Sequence, residues 1–464
     1  MASDLASTLE LRWLRMLASM FRPVRFAVLL TSLAAMSLGC LGFAVQASGS
    51  VGTSPAASGG CPTSIPSWSQ ENHAWRYDGR GPDTGPFKWF TAPTVQPSVA
   101  GNPVSGKPWF VDCTWDEAWN GSRRVGDWNP LAQQHIGRVY AEHGGAFLGP
   151  IQSPERSAVL ARFIARQPIA KWIGPAHTGM YNTTYKYLKR TSSQAPGALR
   201  FVVFRRLESG NCRRYSLPDQ ATFGPKVHAT LVNEFASAVR NASTDGFGGP
   251  LVVVIEPDVM PSIRCTLATI PDRAFKKRFL ATRISEIKYA IGKFATLPNS
   301  TVYVDAGASD YVGWKAQVPY LKAVGINRIR GFSLNVTHYD WTRDNVEYGT
   351  KLAKALGVHF VVSTGRAGGG NLPDRLISQG YERGCNIPNA GLGPAPTVKT
   401  ANSYIDAYLW LLNPGFSDGN CQSGARSFRT PNVKWTQTLA LRLIKQRCMD
   451  LPRCYGRGKP SYFQ

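Results

Sequence analysis

The segment that decides the fold prediction is Leu251-Val252-Val253-Val254-Ile255-Glu256-Pro257-Asp258. Five consecutive apolar residues, four of them β-branched, predict a strand that is buried on both faces, as in a parallel sheet covered by helices. Pro257 lacks a backbone N–H and therefore ends the strand. Asp258 then lies at the carboxyl end of the strand, where the functional residues of α/β folds gather.

Similar apolar runs alternate with longer amphipathic segments on both sides of this strand. Further strands are predicted at 200–204, 301–304, 330–334 and 359–363. Helices are predicted near 225–241, 272–295, 315–324 and 343–357, the last one ended by Gly357 as a C-cap. This alternation predicts an α/β protein with a parallel sheet, and both a barrel and a doubly wound sheet fit it.

Two more carboxylates are predicted near Asp258. Asp305 follows the apolar run 301–304, and Asp418 lies in the turn-rich segment 414–419. Glycoside hydrolysis uses a carboxylic acid to protonate the leaving oxygen and a carboxylate to activate water. The alternative is that strand-end aspartates only cap the helices that follow them.

The ordered motifs resemble glycoside hydrolase family 6. No single motif is decisive, but their order and spacing agree over roughly residues 126–450. The matching segments are 129–131, 171–174, 254–258, 303–307 with 313–314, 330–336 with Tyr339, and Trp410 through 417–419. The resemblance implies an α/β fold for residues 126–464, a distorted parallel (β/α) barrel of the family 6 type.

The resemblance also implies the chemistry, which is hydrolysis of β-1,4-glucosidic bonds of cellulose or a related β-glucan with inversion. Asp258 is the expected general acid and Asp418 the expected base, acting directly or through a water. Asp305 is expected to tune the electrostatics of the site, and Asn211 stands where the family has an aspartate. No metal or cofactor is expected.

Six further residues are expected to bind the glucan. The tryptophans among them are candidate platforms for sugar rings, although each is equally compatible with core packing. The polar residues among them are expected to line the cleft. The six residues are Trp172, Trp314, Asn335, Tyr339, Arg366 and Trp410.

Several positions depart from the family pattern. Leu412 and Phe416 stand where the family has a lysine and a glutamate that bind sugar hydroxyls, and Ser363 stands where an aspartate is usual. Asn211 cannot carry negative charge. Two alternatives to a working hydrolase therefore stay open: a catalytically weakened glycan-binding relative and a basic cell-surface binding protein.

The N-terminal region predicts export. Residues 1–47 have the features of a signal peptide, residues 48–60 form a flexible linker, and residues 61–125 form a small irregular, Trp-rich extension. The protein is thus expected to be secreted and monomeric, with membrane attachment only if the apolar stretch 26–45 is not cleaved. Exposed tryptophans of the extension are candidates for glycan binding, with core packing as the alternative.

Charge and cysteines complete the sequence picture. The formal net charge of +24 favours anionic partners, but the basic residues are scattered, without the run that typifies a nucleic-acid tail. Eight cysteines remain after signal cleavage, which predicts disulfides in an exported chain. The family resemblance implies the pairs Cys212–Cys265 and Cys385–Cys421, and leaves Cys448–Cys454 and Cys61–Cys113.

Overall fold

The computed structural model describes residues 95–111, 163–164, 167–174, 179–207, 224–382, 384–419, 421 and 436–447. The predicted signal peptide, the linker, most of the Trp-rich extension, Asn211 and the expected pairs Cys448–Cys454 and Cys61–Cys113 lie outside these residues. Within them, no helix combines the length and the apolar character needed to cross a membrane.

The sheet has seven strands, all parallel and ordered as they occur in the chain. Its strands are β1 (Lys171–Ile173), β2 (Arg200–Phe204), β3 (Leu251–Ile255), β4 (Ser300–Asp305), β5 (Gly331–Leu334), β6 (His359–Ser363) and β7 (Ile405–Leu409). The parallel α/β prediction is confirmed.

Eight α-helices accompany these strands in the described part of the chain. They are α1 (Met180–Gln194), α2 (Pro225–Thr244), α3 (Val259–Thr269), α4 (Arg273–Phe294), α5 (Trp314–Ala323), α6 (Thr342–Leu356), α7 (Asp374–Ser378) and α8 (Gln437–Lys445). The four predicted helices correspond to α2, α4, α5 and α6, and Gly357 caps α6 in the left-handed conformation, as predicted.

The sheet curls until its two edges meet. Ile169, just before β1, forms a parallel bridge with Trp410, just after β7. The Ala170 N–H donates to the Trp410 carbonyl at 3.0 Å, and Trp172 Nε1 donates to the Leu411 carbonyl at 2.5 Å. The sequence left a barrel and a doubly wound sheet open, and this contact decides for a distorted barrel.

Each strand buries both of its faces because the curled sheet has helices outside and side chains inside. On β2, Val202 and Phe204 join the cluster that packs against the helices, whereas Phe201 and Val203 join a second cluster within the barrel. The continuously apolar sequence of β3 is explained in the same way.

Residues 95–111 cover the amino ends of the strands. Trp109 pairs with Leu199 in a parallel bridge and packs edge-on against Phe201 inside the barrel. Its Nε1 donates to the Val104 carbonyl at 2.9 Å. This tryptophan of the predicted extension is therefore a core residue. The carboxyl ends of the strands, at the other end of the barrel, carry the candidate site.

Candidate active site

The acid loop, residues 256–258, leaves β3 in a strained conformation. Glu256 and Asp258 both have positive φ angles, 50° and 70°. Non-glycine residues adopt this region at a cost of about 1 kcal/mol or more, and such residues cluster at functional sites. The Asp258 N–H donates to Asp305 Oδ2 at 2.9 Å, which holds the turn, and the Asp258 side chain is half-buried at the start of α3.

Glu256 anchors this loop from beneath. Its side chain is fully buried, and its Oε2 accepts the N–H groups of Arg206 and Leu207 at 2.8 and 2.9 Å. Its Oε1 lies 3.0 Å from Nε2 of the buried His228 on α2. The carboxylate thus ties the end of β2 and helix α2 to the acid loop. The sequence analysis did not predict this role, although Glu256 stands directly at the strand end.

Asp305 is the buried carboxylate beside the acid. It accepts hydrogen bonds from the Asp258 N–H, from the Gly307 N–H at 3.2 Å and from the Ser333 hydroxyl at 3.2 Å. Burial, and next the negative charge of Asp258, raise the pKa of Asp305 to about 8. Asp305 is therefore protonated at neutral pH and adds no negative charge next to Asp258.

Thr337 links the acid to the rest of the rim. Its hydroxyl donates to Asp258 Oδ1, and its carbonyl accepts from Arg366 Nη2. Within the described residues, the second oxygen, Asp258 Oδ2, has no hydrogen-bond partner. One carboxyl oxygen of Asp258 is thus held while the other remains available to a substrate atom.

Asp418 is held by a buried cation. Its Oδ1 accepts from Arg366 Nη1 at 2.8 Å, and its Oδ2 accepts from the Tyr339 hydroxyl and from the Asn386 N–H at 2.9 Å. Burial works to lower the pKa of Arg366, but Asp418 and Tyr339 outweigh it and raise the pKa. Arg366 is therefore charged, and its guanidinium carbon lies 4.0 Å from the centre of the Tyr339 ring.

The structure brings the two proposed catalytic acids to the same rim. The path runs from Asp258 through Thr337 to Arg366 and on to Asp418, through side-chain and backbone hydrogen bonds only. Asp258 and Asp418 are 160 residues apart in the chain. Both side chains are half-buried, so solvent reaches them.

A histidine lies beside the acid. Nδ1 of the half-buried His338 is 3.0 Å from Asp310 Oδ1, and the ring packs edge-on against Tyr311. Burial lowers the pKa of His338, but the negative charges of Asp310 and next Asp258 outweigh it and raise the pKa to about 9. A cation thus sits next to Asp258 at neutral pH. The sequence analysis did not single out His338, Asp310 or Thr337.

All three polar residues expected to line the cleft are buried behind the rim, Arg366 being 3% exposed. Asn335 is 1% exposed, and its Nδ2 donates to the carbonyls of Asp340 and Ser363 at 3.2 and 3.0 Å. Tyr339 is buried as well and reaches the site through its hydroxyl on Asp418. Both residues support the loop that carries Thr337, and their burial argues against direct contact with a sugar.

The three candidate tryptophan platforms differ in exposure. Trp172 on β1 and Trp314 at the start of α5 are half-buried, so part of each ring faces solvent. Trp410 is 1% exposed, and its Nε1 donates to the Pro394 carbonyl at 3.1 Å. The expectation that Trp410 stacks on a sugar is therefore wrong, because its ring is part of the core where the barrel closes.

The departures from the family pattern have structural consequences. Leu412 is buried, and Phe416 packs against the apolar cluster that contains Trp410. Ser363 is also buried, and its hydroxyl accepts from the Leu411 N–H at 3.3 Å. These three positions offer the described rim no charged group.

The late loops that carry Asp418 are tied by a disulfide. Cys385 and Cys421 are bonded, with their Cα atoms 5.7 Å apart, as the family resemblance implied. Cys265 is also disulfide-bonded, and its expected partner, Cys212, lies outside the described residues. Glu382, Cys385 and Cys421 form the one cluster of metal-ligand residue types among the described residues. The two sulfurs are bonded to each other and are therefore not available as thiolate ligands for a metal ion.

Comparison with known proteins defines the class. A family model, Glycosyl hydrolases family 6, matches residues 138–446. The curled parallel barrel aligns with the endoglucanase Cel6 from Mycobacterium tuberculosis with a TM-score of 0.55 and 24% identity, covering 75% of this chain and 99% of that one. The fold is thus that of a glycoside hydrolase with acids at the carboxyl ends of its strands.

Two relatives illustrate the sequence similarity. Endoglucanase A of Cellulomonas fimi is 32% identical over 232 residues, 50% of this chain and 46% of the relative. The probable 1,4-beta-D-glucan cellobiohydrolase C of Aspergillus niger is 25% identical over 375 residues, 73% of each chain. The match thus spans less than half of the first relative. The chain belongs to glycosyl hydrolases family 6, and the O-glycosyl hydrolase class follows from that membership.

Proposed function

We propose that this protein hydrolyses β-1,4-glucosidic bonds of cellulose or a related β-glucan, with inversion at the anomeric carbon. The observation that carries the proposal is the hydrogen-bonded path that joins Asp258 to Asp418 across one rim. Its relatives include endoglucanases and a probable cellobiohydrolase, and a structural neighbour was solved with a thio-linked cellobioside.

In the proposed mechanism, Asp258 is the general acid. With Oδ1 held by Thr337, protonated Oδ2 donates its proton to the glycosidic oxygen as the bond from that oxygen to the anomeric carbon breaks. The leaving sugar departs with a free hydroxyl, and positive charge develops on the remaining ring. The fixed backbone of the acid loop places this proton without further rearrangement.

Asp418 is the proposed base. A water held against its carboxylate attacks the anomeric carbon from the face opposite to the leaving group, and the water proton passes to Asp418. Arg366 and Tyr339 orient the carboxylate through both of its oxygens. Because they do so from the buried side, the exposed part of Asp418 is left to the water.

The surrounding groups set the charge of the site. Asp305, whose pKa is about 8, stays neutral at neutral pH and fixes the Asp258 N–H. His338 is cationic there and offsets the charge of Asp310. Trp172 and Trp314 are the proposed sugar platforms, because each keeps part of its ring exposed.

The proposal includes the setting in which the enzyme acts. The signal-like N-terminus and the cysteine content support secretion, and the disulfides at Cys385–Cys421 and Cys265 are compatible with an oxidising compartment. A monomer acting on a polymer outside the cell is the simplest arrangement. An enzyme that must reach an insoluble or very long glucan has to meet it there.

The test compares wild type with Asp258→Asn on a panel of soluble β-glucans, following released reducing ends and the anomeric configuration of the first product by NMR. Wild type is expected to release α-configured products. The rate of the variant is expected to fall about 10²–10⁴-fold, the usual contribution of a general acid. Lys322→Gln, an exposed change on α5, is the matched control.

One observation favours a second function, glycan binding with little cleavage. Leu412 and Phe416 place apolar side chains where the family binds sugar hydroxyls next to the cut. Wild type that binds cello-oligosaccharides but releases no reducing ends would decide for this second function. Retained activity in Asp258→Asn would instead remove the proposed mechanism.

A further inference from the structure

The solvent side of α4 is strongly basic. Glu286 is the one acidic residue of this helix, and it is buried and paired with the buried Arg283 at 3.0 Å. The remaining charged residues of the helix are all cations, four of them exposed and two, Lys276 and Lys293, half-buried. They are Arg273, Lys276, Lys277, Arg278, Lys288 and Lys293.

These cations have no anionic partner within the described residues. Helix α6, which is also on the outside of the barrel, shows the usual arrangement: Lys351 pairs with Glu347 and Arg343 with Asp344, at 2.7 and 2.8 Å. No such pair is found for the six cations of α4. Like charges along one helix repel one another, so binding of an anion would stabilise this face.

The basic surface continues beyond the helix. The exposed Arg328 lies across α4 at Gly292, where an added Cβ would be 3.3 Å from Arg328 Nη1. Arg328 also borders an open pocket of about 520 Å³, together with Arg330 and Asn102. We call the six cations of α4 and Arg328 the basic ridge. A helix of this length spans about 33 Å, long enough to contact several units of a polymer.

We propose that the basic ridge binds an acidic polysaccharide, a chain that carries carboxylate groups. The inference goes beyond hydrolysis, because the ridge lies on the outer side of a helix that packs against the barrel, whereas Asp258 and Asp418 lie on the rim at the carboxyl ends of the strands. Bound in this way, the protein is held on a mixed polysaccharide matrix while its cleft remains open to a neutral glucan.

The side chains of the ridge favour this partner over a membrane or a nucleic acid. The exposed large apolar residues of the described chain are Val95, Val99 and Val227, none of them on α4, so nothing there inserts into a bilayer. The longest basic run on α4 is Lys276-Lys277-Arg278, shorter than the runs that typify nucleic-acid-binding tails.

The experiment measures binding of the full chain to polygalacturonate at low and high ionic strength. The ridge variant is Lys276→Gln, Lys277→Gln, Arg278→Gln and Lys288→Gln combined. The control variant is Lys186→Gln, Lys322→Gln, Lys354→Gln and Lys399→Gln combined, which removes the same charge from exposed positions elsewhere. Binding is expected to weaken at least about tenfold in the ridge variant and less than about twofold in the control.

High salt is expected to abolish the difference, because exposed charges are screened. Activity on soluble neutral β-glucan is expected to be the same in all three proteins, which separates this proposal from the proposed hydrolysis. Equal weakening in both variants would assign the binding to net charge and overturn the ridge. No binding by wild type, or tighter binding to single-stranded DNA or anionic vesicles than to polygalacturonate, would overturn the proposed partner.

Discussion

Asp305 and Asp406 are two aspartates of the same sheet, each 1% exposed, at opposite ends of the barrel. Asp406, the second residue of β7, is paired with Arg330 through both of its oxygens at 2.8 and 2.9 Å and accepts from the Tyr303 hydroxyl at 2.7 Å. Asp305, the last residue of β4, has only N–H and O–H groups around it.

The different partners of the two aspartates indicate different roles: Asp406 stabilises the fold, whereas Asp305 supports the candidate active site. A buried charge needs a partner, and Asp406 has one in Arg330. Asp305 lacks a cation in direct contact, so burial raises its pKa to about 8 and it stays protonated at neutral pH. The fold thus tolerates a buried carboxyl without a counter-ion at the position where it accepts a hydrogen bond from the Asp258 N–H.

The largest expected effect is on stability at the amino end. Asp406→Asn leaves Arg330 without its counter-ion and disturbs the buried Tyr303 hydroxyl. Because Arg330 is 24% exposed, the loss in the free energy of unfolding is expected to be about 3 kcal/mol, the low end for a broken buried pair. Urea denaturation measures it, and the kcat of the folded protein is expected to stay within about twofold.

The control for this prediction removes both partners. Asp406→Leu combined with Arg330→Met replaces the pair by apolar side chains, which is often neutral for stability. Recovery of most of the lost stability would show that the cost in Asp406→Asn comes from the unpaired cation. If Asp406→Asn alone were as stable as wild type, Asp406 would not stabilise the fold, and the contrast drawn between Asp406 and Asp305 would be wrong.

The second prediction concerns the pH dependence of stability at the carboxyl end. The pKa of Asp305 is about 8 in the folded protein against 3.8 ordinarily, so between these values the folded state holds a proton that the unfolded state has released. The contribution of Asp305 to stability is therefore complete below about pH 4 and falls as the pH rises towards 8. The asparagine of Asp305→Asn does not titrate, so this variant does not lose stability in this way as the pH rises.

Relative to wild type, Asp305→Asn is expected to become more stable by about 2–3 kcal/mol between pH 5 and pH 7, since one pKa unit corresponds to about 1.4 kcal/mol. Urea denaturation at a series of pH values gives the difference. Asp340, whose pKa burial also raises to about 8, is present in both proteins and cancels. A difference that does not change with pH would contradict the raised pKa of Asp305.

The sequence was sufficient for most of the fold. The strands at 200–204, 251–255, 301–304, 330–334 and 359–363 and the four helices were predictable because most of them are locally amphipathic or continuously apolar. β1 and β7 were not predicted. β7 contains Asp406, whose burial depends on Arg330, 76 residues away, and the closure of the barrel depends on β1 meeting the end of β7.

The site was predictable only in part, and for a similar reason. Asp258 and Asp305 were placed because they directly follow apolar strands, and the family resemblance placed Asp418. Thr337 and the His338–Asp310 pair were missed because their contacts join loops far apart in the chain. Trp410 was misassigned because the sequence around a tryptophan does not show whether its ring is exposed to a sugar or buried in the core.

The third prediction tests what Asp305 does for the rate. Asp305→Asn keeps an oxygen that accepts from the Asp258 N–H and, like protonated Asp305, is neutral, so its kcat near pH 6 is expected to stay within about threefold of wild type. Asp305→Ala removes the acceptor and is expected to lower kcat about five- to tenfold, as for one lost hydrogen bond. Equal losses in both variants would show that the negative charge matters, not the acceptor.

The smallest expected effect is at Thr337, whose hydroxyl holds Asp258 Oδ1 at the carboxyl end of the barrel. Thr337→Val keeps the shape but removes the donor to Asp258 Oδ1, and Thr337→Ser keeps the donor. The kcat on soluble β-glucan is expected to fall about threefold in Thr337→Val and to be restored in Thr337→Ser, with KM unchanged in both. Because the Arg366 contact uses the Thr337 backbone, both variants retain it. A valine variant as fast as wild type would show that the Thr337 hydroxyl does not hold the acid, and a serine variant as slow as the valine variant would show that the hydroxyl alone does not set the rate.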